Sequence, residues 1–233
     1  MAEAVIVEAV RSPVGKRNGA LSGVHPSELS AQVLNGLVQR AGIDPGLVDD
    51  VIWGCVMQAG EQALDIARTA VLTAGWPETV PGVTVDRQCG SSQQSLHFAV
   101  AGVVAGHYDV VVAGGVESMS RTPMGSSLAN GGHPYPEAFR ARYEQTPNQG
   151  VGAEMIAEQW GLSRTQLDEF SLRSHEKAAA AQDSGAFKDQ IVGIKDQDGN
   201  VVLEDGGIRR GGTVESMAGI KPAFKEDGVI HAG

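Results

Sequence analysis

Four short apolar runs mark the first half of the chain: AVIVEAV (4–10), VDDVIWGCVM (48–57), GVTVDRQC (82–89) and DVVVAGG (109–115). Each is rich in β-branched residues, and such runs predict buried strands. Between them the apolar positions recur every three or four residues. In PSELSAQVLNGLVQRAG (26–42), Leu29, Val33, Leu37 and Ala41 fall on one face, and Gly42 marks the stop. ALDIARTAVLTAGWP (63–77) reads as a second helix, closed by Gly75 and Pro77. SLHFAVAGVVAG (95–106) reads as a third, with Leu96, Val100, Val103 and Val104 as its expected packing face. Strands alternating with helices imply an α/β domain: a parallel sheet with helices on its faces.

The pattern changes after Ser120. RTPMGSSLANGGHPYPEAFRARYEQTPNQG (121–150) is rich in Gly, Pro and Asn and predicts a long excursion instead of another strand–helix unit. Helices resume at GAEMIAEQWGL (152–162) and at SRTQLDEFSLRSHEKAAAAQDSG (163–185). In the second of these, Ser163 and Gln166 have capping-box spacing and Gly185 is a stop. QIVGIKDQDGNVVLED (190–205) predicts a hairpin turning at Asp198-Gly199. The division expected from this change of pattern is 1–120 for the α/β domain and 121–233 for the excursion.

Composition narrows the function classes. Of 233 residues, 42% are hydrophobic and 20% charged, an ordinary globular balance. The formal charge of −10 argues against general nucleic-acid binding, though local arginines can still hold a phosphate-bearing ligand. No run reaches the ~20 apolar residues of a membrane helix, and the N-terminus does not read as a signal peptide. Two cysteines make no disulfide framework, so a reducing, cytoplasmic setting is expected. No metal-ligand spacing, Walker motif or dinucleotide fingerprint is present, and no metal is expected.

The chemistry concentrates on Cys89. A lone cysteine is ordinarily a small buried hydrophobe, and Cys55, inside the run VIWGCVM, fits that reading. Cys89 sits among Arg87, Gln88, Gly90, Ser91 and Ser92, a poor apolar wall. It falls where a strand turns into a helix, and unpaired N–H groups at a helix start favour negative charge. Strand, sharp turn, nucleophile and helix make a nucleophile elbow suited to acyl transfer through a thioester. On the residues alone, the inert and catalytic readings of Cys89 both stand.

Several blocks together resemble the thiolases. RQCGSSQQS (87–95) is similar to their nucleophile motif, although many members carry Ser-Gly at Ser91-Ser92. AGGVESMSRTP (113–123), VEAVRSPVGKRNGAL (7–21) and GEQALDIARTAVLTAGWP (60–77) resemble further family blocks. LSRTQLDEFSLRSHEKAAAA (162–181) and IKPAFKEDG (220–228) look like parts of the family's loop domain. The resemblance covers essentially the whole chain. It implies a thiolase-like layered α/β fold: an N-terminal βαβα half with an inserted, CoA-binding loop domain.

That resemblance implies an acyltransferase acting on 3-ketoacyl-CoA in lipid catabolism, by β-oxidation or steroid side-chain degradation. The cysteine attacks the 3-keto carbon, acetyl-CoA leaves, and CoA then takes the acyl group from the thioester. By motif position Cys89 is the acyl carrier. Arg209, in GIRRGGT, matches an arginine near the adenine end of CoA; otherwise it reads as a solvated surface arginine. Ser216, in VESMAGIKPAF, matches a serine contacting the same moiety; otherwise it is a helix-cap serine. No tightly bound cofactor is implied, CoA and acyl-CoA being substrates. A homodimer or homotetramer is a family expectation.

In the family, GVIHAG precedes an Asn-x-Ser stretch, a fifth strand, and a second half of similar fold. That half supplies a histidine in Gly-His-Pro and a second cysteine in Cys-x-Gly, so residues 1–233 alone are not expected to turn over. Gly132-His133-Pro134 has the right letters but lies in the excursion and reads as a turn. His25, His97, His107, His175 and His231 are not expected to act as the base. Asn148-Gln149 stands where short-chain biosynthetic members carry His-Met, which favours a bulkier acyl chain. The alternatives are a biosynthetic acetoacetyl-CoA thiolase, a condensing enzyme using carrier-protein thioesters, and a non-enzymatic CoA-binding module.

Overall fold

The computed structural model describes residues 3–143 and 147–233. Residues 144–146 of the expected excursion, and the first two residues of the chain, lie outside that description. The chain forms two compact units that interleave in sequence. One comprises Met1–Gly131 and Phe187–Gly207, the other Gly132–Ala186 and Ile208–Gly233.

The first unit is built on a three-stranded parallel sheet of β1 (Asp50–Gly54), β2 (Gly82–Val85) and β3 (Val111–Gly115), in the order β2-β1-β3. The expected strands at 48–57, 82–89 and 109–115 are thus present in shortened form. Strand side chains alternate between faces, and the alternation assigns each helix to a side. Val51, Trp53 and Cys55 join one core with Leu34 of α1 (Pro26–Ala41) and with Ile66, Ala67, Ala70 and Val71 of α2 (Ile66–Thr73). The opposite face, at Gly54 and Gly115, meets α3 (Ser91–Ala105). The end of α1 is set as expected, Gly42 closing it with φ +66°, and His25 caps its first turn. Two indoles pin α1 over this core, Trp53 Nε1 donating to Ser30 Oγ and Trp76 Nε1 to Asn35 Oδ1.

The third helix departs from its expected orientation. Its buried positions are Ser91, Ser95, Ala99 and Gly102, while Leu96, Val100 and Val104 are 40–48% exposed. The reason is close approach. A Cβ on Gly54 would lie 2.5 Å from Ser92 N, and one on Gly115 would lie 2.1 Å from Ser92 Oγ. A helix lying so near a strand can present only small residues to it, so the small face packs and the large apolar face points away. The helix also begins at Ser91, four residues before the expected start.

Residues 4–10 are the second correction. They form no strand, and Val5, Ile6 and Val7 are 71–74% exposed. A strand is a relation between two backbones, and this segment pairs with no strand among the described residues. It instead forms one wall of a groove of ≈ 290 Å³ whose other walls include Val110–Ala113, Leu37 of α1 and Leu96 of α3. Just past it the chain is anchored: Arg11 N–H donates to Gln190 O, and its guanidinium pairs with both oxygens of Asp205 at 2.7 and 2.9 Å. The hairpin is present as β4 (Ile194–Lys195) antiparallel to β5 (Val201–Val202), with Gly199 in the turn at φ +85°.

The second unit is helical: α4 (Glu137–Arg142), α5 (Gln149–Trp160), α6 (Arg164–Asp183) and α7 (Val214–Ala218). The Ser163/Gln166 capping box is formed at the start of α6. Two buried carboxylates tie down residues 229–231. Glu154 accepts from Val229 N–H and Ile230 N–H at 3.0 and 2.9 Å, and Asp168 pairs with His231 at 2.6 Å and with Arg164 at 2.9 Å.

Candidate active site

Parallel sheets open ligand crevices beyond the carboxyl ends of their strands, and the described chemistry gathers there. After Val85 the chain turns sharply. Asp86 Oδ1 accepts from Gln88 N–H at 2.7 Å, and Gln88 is left-handed at φ +47°. Cys89 follows, exposed, and Gly90 is the N-cap of α3. Among the described residues no side-chain hydrogen bond caps the start of α3, and Cys89 immediately precedes its N-cap. Ser91 turns its hydroxyl backward: Oγ donates to Gln88 O at 2.6 Å and accepts from Arg87 N–H at 2.9 Å. The succession of strand, sharp turn, cysteine and helix read from the sequence is thus formed.

A cavity of ≈ 280 Å³ opens at this turn, bordered by Gln88, Cys89, Ser92, Met57, Met119 and Met124. Glu117, on its border, belongs to a polar network that sequence reading did not find. Gln62 is fully buried, its amide donating to Met57 O at 2.9 Å and to Glu117 Oε1 at 2.7 Å, while its Oε1 accepts from Ser118 N–H. Glu117 also accepts from Val56 N–H at 2.9 Å. This network joins the loop after β1 to the loop after β3, which shape the cavity wall. No spacing rule marks Gln62 or Glu117, since their partnership exists only across the sheet. Cys55 also reaches this cavity, but it is 1% exposed. Burial first, then the negative charges of Glu117 and Asp86, push its thiol up to about 12. It is core, as read from the sequence.

The two other residues named from the sequence lie in the second unit. Arg209 borders a cavity with His175 and Asp183, and its backbone N–H donates to His175 Nδ1 at 3.2 Å. Its neighbour Arg210 is bidentate to Asp183 at 2.8 Å. Ser216 occupies the third position of α7 in a capping box with Thr213, so its hydroxyl already has a structural task. Of the histidines, His25 is a helix cap, His133 makes a local turn with Tyr135, and His231 pairs with Asp168. Burial raises Asp168, but hydrogen bonds from His231 and Arg164 outweigh it and hold the carboxyl below its ordinary range. Among the described residues no cluster of three acidic, Cys or His side chains could hold a metal, and no helix is long and apolar enough to cross a membrane.

Residues 4–233 match the family described as thiolase, N-terminal domain. The chain belongs to the thiolase family. It is 46% identical over 230 residues to the steroid 3-ketoacyl-CoA thiolase FadA6 of Mycobacterium tuberculosis, covering 95% of this chain and 56% of that protein. A 3-ketoacyl-CoA thiolase of Saccharophagus degradans is 40% identical, covering 99% of this chain and 60% of the relative. The crystal structure of the Bacillus anthracis acetyl-CoA acetyltransferase superposes with a TM-score of 0.86 at 40% identity, covering all of this chain and 61% of that one. The α/β unit with its parallel sheet is therefore a thiolase N-terminal fold, and the chain spans 56–61% of these relatives.

Proposed function

We propose that this chain is the acyl-accepting portion of a thiolase that transfers acyl groups between 3-ketoacyl-CoA and CoA. The observation that carries the reading is the exposed Cys89 at the start of α3, beyond the sheet's carboxyl edge and bordering a cavity. Its sulfur attacks the 3-keto carbon. The bond between the α- and β-carbons breaks, acetyl-CoA takes up the electron pair and a proton, and the shortened acyl group stays on sulfur. The thiol of CoA then displaces Cys89 and carries the acyl group away. CoA and acyl-CoA are substrates, and no tightly bound cofactor is needed.

Residues 121–233 act as the loop domain, with Arg209 and Ser216 contacting the nucleotide end of CoA. Arg209 supports this better, being a cation at a cavity. Ser216 supports it less, since its hydroxyl is engaged in the capping box. The family's activating histidine and proton-moving cysteine belong to the second half, so residues 1–233 alone accept an acyl group without sustained turnover. The complete enzyme works in the cytoplasm as a homodimer or homotetramer.

The acyl chain is longer or bulkier than acetoacetyl. The relative named for steroid substrates supports this, as does Asn148-Gln149 at the place where short-chain biosynthetic members carry His-Met. A biosynthetic acetoacetyl-CoA role is the second reading, supported by the likeness to an acetyl-CoA acetyltransferase. Incubation with acetyl-CoA followed by peptide mass mapping tests the chemistry. One acyl group on the Cys89 peptide is expected, and an unmodified Cys89 overturns the proposal. Ketoacyl-CoA substrates of graded length on the complete enzyme test the chain length. Activity confined to acetoacetyl-CoA overturns the bulkier reading.

A further inference from the structure

We infer that Ser91 and Asp86 are positioning residues for acyl transfer: they hold the turn at Gln88 in its left-handed form and so fix where the Cys89 sulfur stands. The inference rests on Cys89 being the nucleophile. Gln88 has φ +47°, a region that is unfavourable for a residue carrying a Cβ. Glycine would take this conformation unaided, so with glutamine here the surroundings must hold it.

They hold it from both sides. The peptide before Gln88 is gripped through its N–H by Asp86 Oδ1 at 2.7 Å. The peptide after it, which leads directly to Cys89, is gripped through its carbonyl by Ser91 Oγ at 2.6 Å and by Ser91 N–H at 2.9 Å. With both flanking peptide planes fixed, the two backbone torsions of Gln88 have little room. Ser91 Oγ also accepts from Arg87 N–H at 2.9 Å, so one hydroxyl closes the loop on itself.

Ser91 is itself immobile. It is 4% exposed, its carbonyl accepts from Ser95 Oγ at 3.0 Å, and its side chain lies where a Cβ on Gly54 would come within 2.9 Å. A hydrogen bond sheltered from water in this way holds geometry better than an exposed one. Ser91 stands at the first position of α3, yet its hydroxyl does not cap the helix; it reaches back to the turn. The clasp thus couples the sulfur to the end of β1, and a reacting atom displaced by about 1 Å can lose about 100-fold in rate.

The test uses the 233-residue chain, with acetyl-CoA acylation and iodoacetamide alkylation followed at Cys89 by peptide mass mapping. Ser91→Ala is expected to slow both by about 10-fold to 100-fold. Adding Gln88→Gly to Ser91→Ala is expected to restore most of the loss, because glycine keeps the left-handed turn without the clasp. A role in packing alone would show no such rescue. Asp86 is exposed and offers a second route should Ser91→Ala not fold: Asp86→Asn keeps the acceptor oxygen and the rate, whereas Asp86→Ala lowers it. Rates unchanged in Ser91→Ala, or a double variant as slow as the single one, overturn the inference alone. An unacylated Cys89 in the unaltered chain overturns the nucleophile reading and this inference with it.

Discussion

Cys55 and Cys89 follow the ends of adjacent parallel strands and border the same cavity, yet their surroundings differ in almost every respect. Cys55 continues the alternation of β1, so its side chain falls on the face covered by α1 and α2. Cys89 lies four residues past the end of β2, after a left-handed residue that breaks the strand's alternation. One sulfur is buried, and that burial, followed by the charges of Glu117 and Asp86, disfavours its ionisation; the other is exposed at a helix start. Exposure here follows from where the strand stops, since the residue type is the same in both cases.

The largest expected effect removes the contrast outright. Cys89→Ala should abolish acyl-adduct formation, a loss of at least about 10³-fold, while Cys55→Ala should leave it intact and cost about 1 kcal/mol of stability in urea unfolding. Adduct persisting in Cys89→Ala would mean that the wrong sulfur has been named. Next comes the close approach beneath the helix. In Gly115→Ala the new Cβ would stand 2.1 Å from Ser92 Oγ and 2.5 Å from Gly54 O, so the helix start must move. About 1–3 kcal/mol of destabilisation is expected, with slower alkylation of Cys89 and no change at Cys55.

A smaller change wakes the silent sulfur. Glu117→Ala removes the acceptor of Val56 N–H and one of the acceptors of the Gln62 amide, at about 1–3 kcal/mol. It also removes one of the charges holding Cys55 up, so alkylation of Cys55 above neutral pH should quicken modestly, burial remaining in force. The smallest effect is that of acid. Asp205 is held below the ordinary carboxylate range by its hydrogen bonds from Arg11, against a raising effect of burial. Its folded value is the depressed one, so its contribution is complete above the unfolded value of about 3.9 and is lost as pH falls through the lower folded value. Urea midpoints should fall below about pH 4, and Asp205→Asn should flatten that fall by about 1 kcal/mol. The preference of alkylating agents for Cys89 over Cys55 should be the same in Asp205→Asn as in the unaltered chain.

Legibility from sequence varied with the range of the interaction. The capping box at Ser163 and Gln166, the Gly42 stop and the hairpin at Gly199 were readable because their partners lie within a few residues. The position of Cys89 was readable for the same reason: strand, turn and helix are consecutive. The packing face of α3 was not, because the glycines that draw it close, Gly54 and Gly115, come from two strands remote in sequence. Nor was the Gln62–Glu117 network, which joins residues 55 positions apart. Ser91 lay in plain view beside the cysteine, but its use depends on the left-handed torsion of Gln88, which no residue letter announces.

By itself the sequence determined the order of strands and helices from α1 to β3, the turn that carries Cys89 and the thiolase family resemblance, since each is written in neighbouring residues or in blocks of fixed order. Tertiary structure alone decided that residues 4–10 form no strand among the described residues, that α3 lays its small face on the sheet, and that one cysteine is sealed while the other is exposed. Pairing, close approach and burial depend on what another part of the chain brings to the same place, and that information is not local to any segment.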